Sequence, residues 1–181
     1  MSSSGPEMVR AAVAGDLAAI AAIYAHHVET GLGTFELAAP DGEEIRRRWQ
    51  DVVERGLPYL LAVLPERGIA GYAYASPYRA RSGYRYTVED SVYVDPACMG
   101  QGAGRALLVA LIAACVPLGY RQMVAVIGGS DNAASIGLHA ALGFERVGCL
   151  TAVGRKFDRW VDTVLMQRAL GPGGATVPGR A

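Results

Sequence analysis

The stretch from Ser91 to Ala114, SVYVDPACMGQGAGRALLVALIAA, constrains this chain more than any other. A β-branched and aromatic run, Val92-Tyr93-Val94, stops at Asp95-Pro96. The loop Gly100-Gln101-Gly102-Ala103-Gly104 then opens directly into an apolar helical pattern from Arg105. Glycines let such a loop turn tightly enough to aim several backbone N–H groups at one point. The start of the following helix adds about half a positive charge there. Strand, glycine loop and helix in that order make a socket for a phosphate or pyrophosphate, and they place the chain among α/β folds.

Spacing excludes two familiar phosphate loops. A dinucleotide fingerprint needs a third glycine at Arg105 or Leu107, and a P-loop needs Gly-Lys, which occurs nowhere in the chain. A plain strand–turn–helix with packing glycines is the bland alternative. Further along, Gly119-Tyr120 precedes the apolar run Met123 to Ile127, and the turn Gly128-Gly129-Ser130 follows it. Asp131-Asn132 then begins a helical segment ending in His139-Ala140-Ala141-Leu142-Gly143-Phe144.

These two segments together resemble the GNAT superfamily of N-acyltransferases. The first matches its acyl-CoA pyrophosphate loop at Gly102 and Gly104, with Met99 standing where Arg or Gln is usual. The second matches at Asn132, Ser135, Ile136, Leu138 and Leu142-Gly143-Phe144, with His139 where most members carry Tyr. Thr34-Phe35-Glu36, Ser76-Pro77-Tyr78-Arg79-Ala80-Arg81 and Thr87-Val88-Glu89 extend the likeness. They resemble the phosphinothricin N-acetyltransferase family, which takes in enzymes acetylating methionine sulfone and methionine sulfoximine. The resemblance implies a mixed, splayed central sheet flanked by helices, over a single domain at 8–169. It implies acetyl-CoA as co-substrate, pairing with Val92, Tyr93 and Val94 and cradled by Gly100, Gln101, Gly102, Ala103, Gly104, Arg105 and Asn132. It also implies a homodimer.

The expected chemistry follows from amine acylation. A primary amine is mostly protonated at neutral pH and must lose a proton before attacking a thioester, so a general base is needed within reach. Glu89 stands in an apolar strand, where burial would raise its pKa toward a useful value. An ion pair with Arg85 or a neighbour is the other reading. His139 is either a proton relay or a packed helix histidine, since an unperturbed pKa of about 6.5 permits transfer in both directions. Arg79 and Arg81 share a face of an extended segment and suit a small anionic acceptor; solvated loop arginines are the alternative. Phe35, Glu36, Ala80, Thr87 and Val88 complete the expected acceptor site. A CoA-binding domain without turnover, and acetylation of another small amine or a protein amine, stay open.

Composition bounds the rest. A chain of 181 residues buries roughly 70% of its unfolded surface, so its core needs no disulfide or metal. Hydrophobic residues are 51% and charged ones 19%, against about 25% charged in an ordinary domain; this permits a large core or an apolar subunit interface. With 17 acidic and 17 basic residues, nothing speaks for nucleic acid. Arg46-Arg47-Arg48 reads as a solvated helix face. Three unpaired cysteines suggest a reducing cytoplasm, and His26, His27 and His139 lack metal-ligand spacing. MSSSGPEM has no apolar signal region, and Ala106–Leu118 is too short to span a bilayer.

The expected strands are Val9–Val13, Tyr59–Leu64, Ile69–Ala75, Tyr84–Val94, 122–127, Phe144–Gly148 and Asp162–Arg168. Expected helices are Leu17–Val28 capped by Asp16, Glu43–Arg55, 102–116 and 131–142. Residues 1–7 and 170–181 are expected to be flexible termini.

Overall fold

The computed structural model describes residues 8–178. One seven-stranded sheet runs through it, in the order β1-β2-β3-β4-β5-β7-β6. The strands are β1 (Val9–Ala11), β2 (Tyr59–Leu64), β3 (Gly68–Pro77), β4 (Thr87–Val94), β5 (Gln122–Gly128), β6 (Glu145–Lys156) and β7 (Arg159–Ala169). Neighbours are antiparallel except β4 and β5, which run parallel. The helices are α1 (Leu17–Thr30), α2 (Gly42–Glu54), α3 (Ala103–Cys115) and α4 (Ala133–Ala141).

Helical periodicity chooses the buried faces. In α1 the buried residues include Leu17, Ile20, Tyr24 and Val28; in α3 they include Ala103, Leu107, Leu111 and Cys115. Both sets are spaced at three or four residues, which makes one stripe. Strand alternation sends these helices to opposite faces of the sheet. Tyr93 of β4 meets Tyr24 of α1 edge-on at 5.1 Å between ring centroids. The next residue, Val94, faces α3, where a Cβ placed on Gly104 would stand 3.3 Å from Val94 Cγ2 and 3.4 Å from Leu138 Cδ2 of α4. Helices α1 and α2 therefore cover one face, while α3 and α4 cover the other.

Several local expectations are corrected. Asp16 is not a side-chain cap for α1: its carboxylate accepts from Val13 N–H at 2.8 Å and from the Arg10 guanidinium at 2.8 Å. β4 starts at Thr87 and not Tyr84, because Ser82–Tyr84 closes a 3₁₀ turn. β6 runs eight residues beyond Gly148, and Ala152 adopts a left-handed φ of 53° within its irregular pairing. Residues 1–7 and 179–181 of the expected termini lie outside the described residues. Within 170–178, Leu170 is buried and its N–H donates to Arg121 O at 2.9 Å.

Candidate active site

The parallel ladder between β4 and β5 is short. It pairs Thr87 with Gln122 through Asp90 with Ala125 and then stops, while β4 stays paired to β3 as far as Val94. A cavity of about 680 Å³ opens where the two strands part. Its walls include Val92, Tyr93 and Val94 from β4, Val126 and Ile127 from β5, and Gly100, Gly102, Ala103, Gly104 and Arg105 from the loop and α3. Residues from both faces of β4 line it, so the cavity passes through the sheet. His27 Nε2–H donates to Val94 O at 2.8 Å, taking up the last carbonyl of the strand.

The glycines of the loop have two different jobs. Gly100 and Gly102 adopt φ of 74° and 85°, which L side chains rarely reach, and a Cβ on either would meet nothing within 4 Å. Their faces are open. Gly104 is in close packing contact with Val94 and Leu138. The first bond inside α3 runs from Ala106 N–H to Gly102 O, so the N–H groups of Ala103, Gly104 and Arg105 are left over at its positive end. Gln101 turns away and donates to Ala97 O at 3.2 Å, and it is absent from the cavity wall. Asn132 lines the cavity but also caps α4, accepting from Ser135 N–H at 3.2 Å and donating to Gly128 O at 3.3 Å.

Glu89 and Asp90 sit where the ladder ends, pointing to opposite faces. Glu89 is half-buried on the α1/α2 side. Burial raises its pKa above the ordinary carboxylate range, the Asp90 charge raises it further, and Arg79 opposes both. Arg85, its alternative partner, stacks instead on Tyr86 at 4.6 Å. Asp90, which the sequence did not single out, is buried on the α3/α4 side, with its Oδ2 2.9 Å from His139 Nε2. His139 Nδ1–H donates to Ser135 O at 2.7 Å, so one proton is fixed there and any second proton lies between Nε2 and Asp90. Burial disfavours the imidazolium, but the Asp90 bond and charge, helped by Ser135, bring the net pKa above the usual histidine value. Asp90 Oδ1 is buried without a hydrogen-bond partner among the described residues. His139 is thus both packed, edge-on to Phe144 at 5.0 Å, and part of the cavity wall.

The acceptor side departs further from expectation. Val88, expected beside the substrate, is fully buried in the core; Thr87 is half-buried and outside the cavity wall. Bends at Tyr78, Ala80 and Arg81 replace the extended segment that would have put Arg79 and Arg81 on one face. Arg79 lies over the Tyr78 ring at 4.4 Å, and both arginines and Ala80 are exposed. Phe35 does line the cavity; its ring rests on Gly154, which leaves no room for a Cβ there. Glu36 accepts from Tyr24 O–H at 2.9 Å and from Arg48 Nη1–H at 2.6 Å, so Arg48 is more than a solvated surface charge. Lys156, also unnoticed in the sequence, is buried and donates to Thr34 O at 2.8 Å, tying the Thr34–Glu36 loop to β6.

Comparison with known proteins agrees with this geometry. The family model for an acetyltransferase (GNAT) domain matches residues 9–165. The chain is 55% identical to phosphinothricin N-acetyltransferase of Alcaligenes faecalis, over 90% of this chain and 82% of that one. It is 42% identical to the L-methionine sulfoximine/L-methionine sulfone acetyltransferase of Salmonella typhimurium, over 90% and 94%. A phosphinothricin acetyltransferase from Sinorhizobium meliloti, solved in complex with AcCoA, superposes with a TM-score of 0.90 at 48% identity, covering 94% of this chain and 92% of that one. The match spans the parted strands, the glycine loop and both α3 and α4: the chain belongs to the GNAT acetyltransferase family and is an acetyl-CoA-dependent N-acetyltransferase.

Proposed function

We propose that this enzyme acetylates the α-amine of a small anionic amino-acid analogue, of the phosphinothricin, methionine sulfone or methionine sulfoximine type, by direct attack on the thioester with Glu89 as general base. The observation that carries the reading is the placement of Glu89 and Asp90, adjacent in sequence, on opposite sides of β4 at the point where the sheet opens. The relatives' printed substrates support the acceptor class.

The site fits acetyl-CoA. The open faces of Gly100 and Gly102, the unpaired N–H groups at the start of α3 and the parted strands suit a pyrophosphate followed by an extended amide-bearing arm. Acetyl-CoA supplies there an acetyl group on a good leaving sulfur. Glu89 faces the acceptor side, where its raised pKa suits it to take the ammonium proton near neutrality. As the C–N bond forms and the C–S bond breaks, the departing sulfur needs charge stabilisation on the opposite face. His139 and Asp90 hold a proton on that side. Both His139 nitrogens are engaged, so handing that proton on requires the Nε2–Asp90 bond to open. Arg79, whose charge acts on Glu89, is placed to attract an acceptor carboxylate.

We further propose a homodimer in the cytoplasm. The support is the edge strand β6, which leaves Val147, Leu150 and Val153 exposed, with Phe157 and Trp160 at the adjoining turn; Trp160 is 68% exposed. An unpaired apolar edge is an association surface. Cys98, Cys115 and Cys149 are free thiols, as a reducing compartment keeps them. Among the described residues no helix is long and apolar enough to cross a membrane.

The test is acetyl-CoA-dependent thiol release over a panel of amino-acid analogues, with the parent and Glu89→Gln. Turnover should fall by roughly 10²–10⁴ in the variant, and the acidic limb of the pH–rate profile should change with it. A profile with the same limb in Glu89→Gln would place the base elsewhere.

A further inference from the structure

A second cavity, of about 220 Å³, lies on the α1/α2 face beside the first. Tyr24, Tyr59, Tyr72, Tyr74, Ser76 and Arg48 are among its walls. Tyr59 and Tyr74 stack at 5.0 Å, and Tyr72 lies 5.8 Å from Tyr59 and 6.4 Å from Tyr74, all within 13° of parallel. The rings therefore form a rigid rack. Among the described residues neither the Tyr59 nor the Tyr72 hydroxyl is hydrogen-bonded to another residue, and both tyrosines line the cavity. Uncommitted donors facing a cavity are candidates for a ligand's oxygens. Arg48 uses Nε and Nη1 on Glu44 and Glu36, and not Nη2.

Strand register connects this cavity to the reacting centre. Glu89 pairs directly with Ser76, Ser91 with Tyr74, and Tyr74 in turn with Tyr59. The second cavity thus begins one strand spacing, about 4.8 Å, from Glu89. Tyr74 lines both cavities. An α-amino acid whose amine is at Glu89 could cross that spacing with a side chain of two methylenes.

Building on the proposed acceptor class, we propose that the tyrosine cavity receives the acceptor's distal, oxygen-bearing group. Its ligand chemistry is a tetrahedral phosphinate, sulfone or sulfoximine. The Tyr59 and Tyr72 hydroxyls and the Arg48 guanidinium donate to its oxygens. Arg79, whose charge reaches Glu89, attends to the α-carboxylate. The cavity, and not Arg79, then discriminates between amino acids.

Methionine and methionine sulfone make a matched pair, differing only in the sulfone oxygens. The parent, Tyr59→Phe, Arg48→Gln and Arg79→Ala are assayed on both. Tyr59→Phe should reduce the parent's kcat/KM preference for the sulfone by about 3- to 10-fold and Arg48→Gln by about 10- to 100-fold, as expected for neutral and charge-assisted bonds. The KM for acetyl-CoA, measured with methionine, should stay within twofold or so in both. Arg79→Ala should lower both acceptors together. An unchanged sulfone-to-methionine ratio in Tyr59→Phe and Arg48→Gln would overturn the cavity assignment and leave the acceptor class standing. A parent that transfers acetyl to no amino-acid analogue would sink both.

Discussion

Asp90→Asn removes one charge from the buried pair while keeping its shape. In the parent, Asp90 Oδ2 stands 2.9 Å from His139 Nε2, with side chains 2% and 4% exposed. The Nδ1–H is committed to Ser135 O, so an asparagine amide could still donate to a neutral Nε2. The hydrogen bond survives; its charge does not. A charge-assisted bond contributes about 1.5–3 kcal/mol and a neutral one about 0.5–1.5, so the difference is about 1.3 kcal/mol. That equals a roughly tenfold loss of proton affinity at His139. Without the carboxylate, burial is opposed only by the bond to Ser135, and the imidazole should titrate below its value in the parent. Histidine C–H NMR measures this directly, with His26 and His27 as internal references. The stability difference has a definite sign. Because the folded pKa of His139 is raised, its stabilisation is present below the unfolded value of about 6.5 and is lost as pH rises through the folded value. The parent should therefore exceed Asp90→Asn most near pH 5–6, with the gap narrowing above neutrality. An unchanged His139 titration, or a gap that widens with pH, would refute the charged pair.

Two further outcomes follow from the loop and the sheet edge. Gly102→Val places a β-branched residue at φ 85° on the open face, so the KM for acetyl-CoA should rise far more than that for the amine. Gly104→Val instead strikes Val94 and Leu138 and should appear chiefly as a lowered Tm; a Gly102→Val enzyme with normal acetyl-CoA kinetics would reduce the loop to a turn. Sedimentation should give twice the 19.0 kDa chain mass, and Leu150→Lys with Trp160→Glu should return it to one; a monomeric parent would exclude the dimer.

Much of the fold was legible because its signals are local. The glycine loop and the periodic stripes of α1 and α3 declare themselves within a dozen residues. Long-range partners do not. Asp90 looked like an ordinary neighbour of Glu89, and its partner His139 is 49 residues away. A signal did exist: Asp90 alternates with Val88 and Val92, so a charge on that inward row required a buried partner. Lys156 escaped notice for the same reason, since its partner Thr34 is 122 residues away. Arg48 read as a solvated face because a run of three arginines carries no mark of which one meets Glu36. The Arg79–Arg81 spacing misled because same-face geometry holds only in extended backbone, and the chain bends there. β6 was cut short because its exposed outer edge and its irregular pairing at Ala152 carry no clean alternation.

The parted strands have a thermodynamic consequence. Beyond Asp90 and Ala125 the facing edges of β4 and β5 do not complete one another's ladder. A cofactor that bridges them binds the native chain and not the unfolded one. By mass action this adds about 2.7 kcal/mol of stability when it is present at a hundred times its Kd. A protein of ordinary marginal stability would then persist in proportion to the supply of its own acyl donor. A cell short of acetyl-CoA would not only slow the enzyme but thin its numbers, through proteolysis of the opened chain.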